Sequence, residues 1–503
     1  MQKTTLLAGL ATICIFAAAP WASDGYLRLD LSKSDRERVQ QVTQPAGSFD
    51  AAEAFEAMQA GAATSTKPIN ANAFSNPSGN LSFEDQESFL LGNGLFRKDW
   101  ATSPSSTLAS DGLGPLFNAR SCQSCHIKDG RGHAPLDADD PATTMLVRVS
   151  VPPDEEQQLA IAESLIPAAP HPSYGLQIQD FAAAGIPAEA RVSVSYEDIE
   201  VSLAGGETVS LRKPTLTLSN PGYGAFGDDM MLSARVAPPM IGMGLLEAIH
   251  PSDILALADP EDSDGDGISG RPNWALNEHG DPVLGRFGWK AAQPDVAMQT
   301  AHAFSGDMGL SSPLTPSHWG DCTERQTECL ELPHGAQEHL GDQEVPGELL
   351  ELVSFYSRNL GVPARRDVED EEVLRGKQIF YESGCTSCHT PKFVTSRDAG
   401  HEAQRFQLIW PYTDMLLHDM GEGLADNRSE GQANGREWRT PPLWGIGLTG
   451  TVNDEATFLH DGRARTILKA IVWHGGEAQA ARDAVVALQP GDREALLTYL
   501  ESL

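Results

Sequence analysis

A mainly α-helical fold with two domains, each built around a C-x-x-C-H cluster, is predicted by three observations. SCQSCHIKDG brings together Cys122, Cys125 and His126, and GCTSCHTPKF repeats the pattern with Cys385, Cys388 and His389. Apolar residues at helical spacing surround both clusters. EEVLRGKQIFYESGC leads into the second with Leu374, Ile379 and Phe380 on one face, and the closing DREALLTYLESL carries Leu496, Leu497 and Leu500. A helix ahead of the cluster and one at the C-terminus form a packing pair for a small helical domain. FEDQESFLLGNGLFRKDW plays the leading role before the first cluster. Third, β-branched alternation is concentrated near residues 144–235, in MLVRVSV, ARVSVSY, IEVSLAG and TVSLRKPTLTL. That predicts a β-rich insertion enlarging the first domain.

The chain has 503 residues, enough for two or three domains. It opens MQKTTLLAGLATICIFAAAPWAS, with Lys3 ahead of an apolar run from Thr5 to Ala19 and small residues at Ala19 and Ala22. Residues 1–22 therefore predict a signal peptide and an exported, periplasmic protein. No stretch predicts a stable membrane span. Residues 23–80, punctuated by Pro, Ser, Asn and Gly, predict a loosely structured N-terminal extension. The first domain is expected over 81–360, closed by the helix GELLELVSFYSRNL, and the second over 368–503, with GVPARRDVED between them. A net charge of −34 argues against nucleic acid as a partner and suits a basic protein partner, or plain solubility.

Seven cysteines divide without remainder. Cys14 leaves with the signal, four belong to the two clusters, and Cys322 and Cys329 are left for a disulfide in an oxidising compartment. C-x-x-C alone also reads as a zinc site or a redox dithiol. Zinc ribbons join their pairs over a short interval, whereas about 260 residues part these two, and a dithiol needs no following histidine. C-x-x-C-H is the attachment motif of haem c: two thiols form thioethers with one porphyrin, and the adjacent imidazole reaches its iron. Two covalent haems are expected, with His126 and His389 as axial ligands.

The stretches GRFGWKA (285–291), GDMG (306–309), REWRTPPLWGIGLT (436–449) and FLHDGRARTILKAIVWHGGEA (458–478) carry a further likeness. From about residue 80 onward the chain resembles the bacterial di-haem cytochrome c peroxidase superfamily, in its di-haem ("thiol") oxidoreductase branch. The resemblance implies a peroxidase that passes electrons from the C-terminal haem to a reactive N-terminal haem, reducing hydrogen peroxide. A small cytochrome c or cupredoxin would be the donor. Oxidation or oxygenation of an organic or protein substrate, and a non-catalytic role in electron transfer or iron acquisition, are the alternatives. The "thiol" label finds no support, because every mature cysteine has another use.

Residue by residue, the likeness makes His474 the second ligand of the C-terminal iron, since it lies fourteen positions after His460 of the LHDG turn. Read locally, His474 is a helix C-cap or a core histidine. Met415, His418 and Met420 are rival ligands. His460 is expected near that haem, with Arg463 and Arg465 as propionate partners. Asp307 stands where the superfamily has a catalytic glutamate, Gln299 near its glutamine, and Trp289 near the tryptophan between the haems. A capping aspartate and a core tryptophan are the plainer readings. His133, Met240 and Met243 are candidates for the open side of the first haem. Finally, DPEDSDGDGISGRPN (259–273) has Asp262, Asp264 and Asp266 on alternate positions before Gly267, which predicts a calcium loop over 262–273 or an acidic turn.

Overall fold

In the computed structural model, which describes residues 28–136, 140 and 143–503, the chain is mainly α-helical with scattered β-sheet insertions. The expected signal segment lies outside the described residues. In chain order the elements that matter here are α1 (Phe83–Phe96), β1 (Met145–Ser150), β2 (Gln177–Ile178), β3 (Arg191–Ser202), β4 (Thr208–Ser219), β5 (Met231–Val236) and α2 (Val296–Met308). They continue with α3 (Gly347–Arg358), α4 (Glu371–Glu382), α5 (Ile467–Trp473), α6 (Gln479–Ala487) and α7 (Pro490–Ser502).

Two helix pairs repeat one packing solution. Helix α1 starts where the Ser82 hydroxyl accepts the Asp85 N–H, and it crosses α3 at Gly92. A Cβ on Gly92 would come within 2.3 Å of the Leu352 carbonyl oxygen, so only glycine permits the approach. Helix α4, capped by Asp370, crosses α7 at Gly376, where a Cβ would lie 2.0 Å from the Ala495 oxygen. Four residues after each glycine comes a buried phenylalanine. Phe96 sits 5.2 Å from the Tyr356 ring of α3 and 6.3 Å from His126. Phe380 sits 5.4 Å from the Tyr499 ring of α7 and 6.4 Å from His389. Helical spacing brings glycine and phenylalanine onto one face, one turn apart.

The strands occupy the 144–235 region. β1 pairs antiparallel with β2 on one side and β5 on the other, giving the order β2-β1-β5. β3 and β4 form a separate ribbon in continuous register from Arg191↔Ser219 to Ser202↔Thr208. Side chains alternate across the sheet. Val147, Val149 and Ile178 pack into a core with Val192, Leu216 and Leu218 of the ribbon. The opposite face, with Leu146, Arg148 and Arg235, is turned to the cavity described below.

The N-terminal extension is packed rather than loose. Ala60, Ala63, Ala73 and Phe74 are buried in the main apolar core. Glu56 is buried between Arg365 and Lys377, accepting from Lys377 Nζ at 2.8 Å, and so ties the extension to α4. Backbone bonds from Ser65 N to Val362 O and from Ser78 N to Asn359 O, both 2.8 Å, hold it against the stretch that follows α3. Proline and glycine punctuation reports irregular backbone, which is a different property from exposure.

Candidate functional site

Both C-x-x-C-H clusters open onto one cavity of about 1050 Å³, at the upper end of ligand-site volumes. At each cluster the chain makes the same turn, with the histidine N–H bonded at 3.0 Å to the carbonyl of the first cysteine. The imidazoles are pinned alike. His126 Nδ1–H donates to Pro238 O and His389 Nδ1–H to Tyr412 O, each at 2.8 Å. That tautomer leaves Nε2 as the free lone pair, the arrangement that orients a histidine toward a metal. Burial keeps both rings neutral by pushing their pKa values down to about 4. Burial also pushes the Cys122 and Cys385 thiols up to about 12, which does not suit them to dithiol redox work.

Helix α5 ends at Trp473, and His474 leaves it in an extended conformation ahead of two glycines. Its Nδ1–H donates to Ala470 O at 2.8 Å, so Nε2 is again free, and the residue lines the cavity. Among the rivals, His418 has both ring nitrogens in use, Nε2 on Asp414 and Nδ1 on Glu477, each at 2.7 Å. Met415 is buried in the apolar core, whereas Met420 borders the cavity.

Near the first cluster, α2 turns Gln299, His302 and Asp307 toward the cavity. Asp295, not Asp307, caps this helix; Asp307 lies in its last turn. Asp307 Oδ1 accepts from Gln177 Nε2 at 2.9 Å, and its carbonyl accepts the N–H groups of Asn118 and Ala119. Gln177 also donates to Asn118 Oδ1 at 2.6 Å. The amide that holds this carboxyl therefore comes from β2, and Gln299 borders the cavity without that bond. Burial raises the Asp307 pKa, against the pull of Arg148 and Gln177. His133 is buried with Nδ1 bonded to Ala134 O, away from the cavity, while Met240 and Met243 border it.

Trp289 lines the cavity and donates Nε1–H to Val236 O at 3.0 Å. Its ring meets His460 edge-on at 6.5 Å, and His460 stacks on Trp438 at 3.7 Å and 11°. Arg463 is engaged by Asp461 at 2.8 Å and Arg465 is exposed, so neither guanidinium borders the cavity. Arg131, Arg148, Arg235 and Arg428 do. Arg428 Nε is buried without an acceptor among the described residues. Free imidazole nitrogens, paired thiols, a large apolar chamber and an arginine wall fit two anionic tetrapyrroles.

In the acidic loop, Asp262 and Asp264 converge with Asp259, their carboxylate oxygens within 4.8 Å of one another. Asp266 instead accepts the Ile268 N–H at 2.8 Å and borders the cavity. Cys322 and Cys329 are disulfide-bonded, with Cα atoms 6.4 Å apart.

The family model described as "Di-haem oxidoreductase, putative peroxidase" matches residues 55–503. No curated protein matches the chain. Among solved structures, hydrazine synthase from Kuenenia stuttgartiensis is 16% identical, covering 52% of this chain and 88% of its own, with a TM-score of 0.24. A superposition that loose carries no argument.

Proposed function

This chain belongs to the di-haem oxidoreductase family, and from that premise we propose the site assignments and the reaction that follow. One haem c is attached through Cys122 and Cys125 with His126 as axial ligand, the other through Cys385 and Cys388 with His389. The repeated crossing of α1 with α3 and of α4 with α7 supports two cytochrome c-like units, within 81–360 and 368–503. When bound, the groups supply redox-active iron. The reaction is reduction of hydrogen peroxide to two waters, consuming two electrons and two protons. Asp307 is the proton carrier: its buried carboxylate takes a proton from one peroxide oxygen and returns it to the oxygen that departs. The observation that carries this reading is the Asp307 carboxyl, facing the chamber of Cys122, Cys125 and His126 and bonded at 2.9 Å to Gln177. Trp289, on the wall shared by both clusters, is the electron relay, with His460 against its ring. Gln299 lines the chamber beside the peroxide.

Electrons enter at the second haem from a small cytochrome c or cupredoxin. In support, Gly384, Ser387 and Ala480 are exposed where they border the cavity, a low rim that lets a partner approach closely. The location is the periplasm; among the described residues no helix is long and apolar enough to cross a membrane. The test is optical and EPR spectroscopy of the as-isolated and half-reduced protein with peroxide added. An open first site that turns over peroxide supports the enzyme, and two closed irons that ignore it refute the proposal.

His474 is the second ligand of the C-terminal iron. His474→Met should raise that haem's midpoint potential by on the order of 100 mV, because thioether ligation favours the reduced state. Redox titration with the first haem as internal control reads the change, and an unmoved potential removes His474 from the iron.

The acidic loop binds calcium through Asp262 and Asp264, with Asp259 in the place expected of Asp266. Asn273, at the twelfth position, donates to Lys290 O at 2.7 Å and is no ligand, so affinity is modest. Chelation should lower Tm by a few degrees and calcium should restore it. A melt indifferent to both excludes the site.

A further inference from the structure

The geometry points to the insertion sheet as the distal wall of the peroxide site, with Arg148 as a catalytic residue and Gln177 as the positioning residue of Asp307. This rests on the peroxidase reading above. The sheet register carries it. Arg148 of β1 lies directly opposite Gln177 of β2 and, on the other side, Ser233 of β5. Directly opposed residues in an antiparallel pair project to the same face. Their neighbours Val147 and Ile178 face the other way, into the core shared with the ribbon. Arg148 and Gln177 therefore stand side by side on the face turned to α2.

Their situations differ. Gln177 is buried, and its amide nitrogen is bonded to Asp307 Oδ1, Asn118 Oδ1 and Gly306 O at 2.9, 2.6 and 3.1 Å. It fixes which oxygen of Asp307 faces the chamber. Arg148 borders the chamber, half-buried, and its guanidinium makes no hydrogen bond to any described residue. Ordinarily a partly buried guanidinium in a protein wall finds a carboxylate. Glu430 is nearby but is already bridged by Arg235 at 2.8 Å and Arg428 at 2.6 Å. Asp321, which also feels Arg148, is occupied by the Leu176 and Gln177 N–H groups, so Arg148 is a cation with its five donors unspent at a wall where charge develops on a small oxygen ligand.

The step balances simply. The O–O bond of peroxide breaks, and the departing oxygen takes the proton carried by Asp307 and leaves as water. That proton came from the other peroxide oxygen, so two electrons from the donor protein and two protons from solvent complete the second water. Arg148 stabilises the negative charge that builds on oxygen before the proton arrives. Among charged groups, Arg148 is the one felt at Asp307, and it is felt also at His302 on the same helix. The Cys122 and Cys125 thiols that feel Asp307 become uncharged thioethers on attachment. Arg148 and Gln177 both favour the carboxylate, so losing either raises the Asp307 pKa and moves the acid limb of turnover to higher pH.

The experiment uses the holoenzyme carrying R148L, R148K, Q177L or D307N, each first checked for two haems per chain. Fluoride, a small anion that accepts hydrogen bonds, is titrated optically against the first haem. R148L should weaken fluoride binding at least tenfold and slow peroxide reduction by roughly a hundredfold, the scale of a lost transition-state donor. R148K should recover part of both. Q177L should leave fluoride affinity near that of the parent and shift the acid limb upward. Parental fluoride affinity in R148L overturns the role of Arg148, and an unmoved limb in Q177L overturns that of Gln177. D307N separates this from the underlying reading. If it turns over like the parent, Asp307 is not the proton carrier, while a fluoride defect in R148L still assigns Arg148 to the distal wall.

Discussion

Asp307→Asn should lower peroxide turnover by about 10²–10⁴-fold while leaving two haems per chain, the range expected for removing a positioned acid–base group. The substitution is nearly isosteric, so the packing of the last turn of α2 survives. Its backbone carbonyl keeps the bonds from Asn118 and Ala119, at 2.8 and 3.1 Å. Only the proton-carrying oxygen changes. The asparagine keeps a carbonyl oxygen to accept from Gln177 Nε2 and turns an NH2, which takes up no proton, to the chamber. The pH dependence follows in sign. Burial raises the Asp307 pKa above its ordinary value, and the ionised form is the one that accepts the peroxide proton. Parental turnover should therefore climb through that elevated pKa, and D307N should be slow and flat across the same interval. Asp307→Glu, one methylene longer, should keep the limb at reduced rate. A D307N enzyme with parental rate and limb would show that the carboxyl serves only as the acceptor of Gln177.

What was legible in the residues divides by distance along the chain. C-x-x-C-H names thiols and imidazole within five positions, so His126 and His389 can be proposed as ligands without any fold. His474 stood out only through the resemblance, fourteen positions after His460; read locally it was a helix end or a core histidine. The disulfide could be read from cysteine arithmetic alone. Contacts that close over long separations were not legible. Gln177 meets Asp307 across 130 positions, and nothing local ties an isolated glutamine to a carboxyl. Gln299 is nearer in sequence but on the same helix, where the spacing directs it to the chamber and not to Asp307. Asp266 stood in the expected position of a calcium loop, yet the carboxylate that converges with those of Asp262 and Asp264 is that of Asp259, which precedes the pattern.

Two signals were present and unread. Gly92 with Phe96 and Gly376 with Phe380 spell the same G-x-x-x-F, one turn apart on helices that approach each cluster. A small residue where helices must cross, followed by an aromatic on the same face, is a physical signature of one packing solution used twice. In MLVRVS, the strand face opposite Met145, Val147 and Val149 carries Leu146, Arg148 and Ser150. A guanidinium in the middle of an otherwise apolar strand marks a second face that lines something polar.

Preventing haem attachment should unfold the chain rather than leave a colourless copy of it. The chamber measures about 1050 Å³ and is walled by core residues near both clusters, among them Phe96, Met308, Phe380, Leu496 and Leu500. Without the tetrapyrroles those apolar walls face water instead of packed atoms, and a whole domain is stable by only about 5–15 kcal/mol, a margin that the lost burial outweighs. Serine replacement at Cys385 and Cys388 tests the second unit alone. There α4 and α7 meet each other at Gly376 and Tyr499, but the inner ends of Phe380, Leu496 and Leu500 face the chamber. That unit should lose its cooperative melt and its amide protection, while Cys122, Cys125 and their helix pair still carry one haem. Far-UV circular dichroism and hydrogen exchange read the two outcomes apart. A haem-free chain with native helix content and a sharp transition would mean the chamber closes on itself, and the assignment of its volume to tetrapyrrole would fall with it.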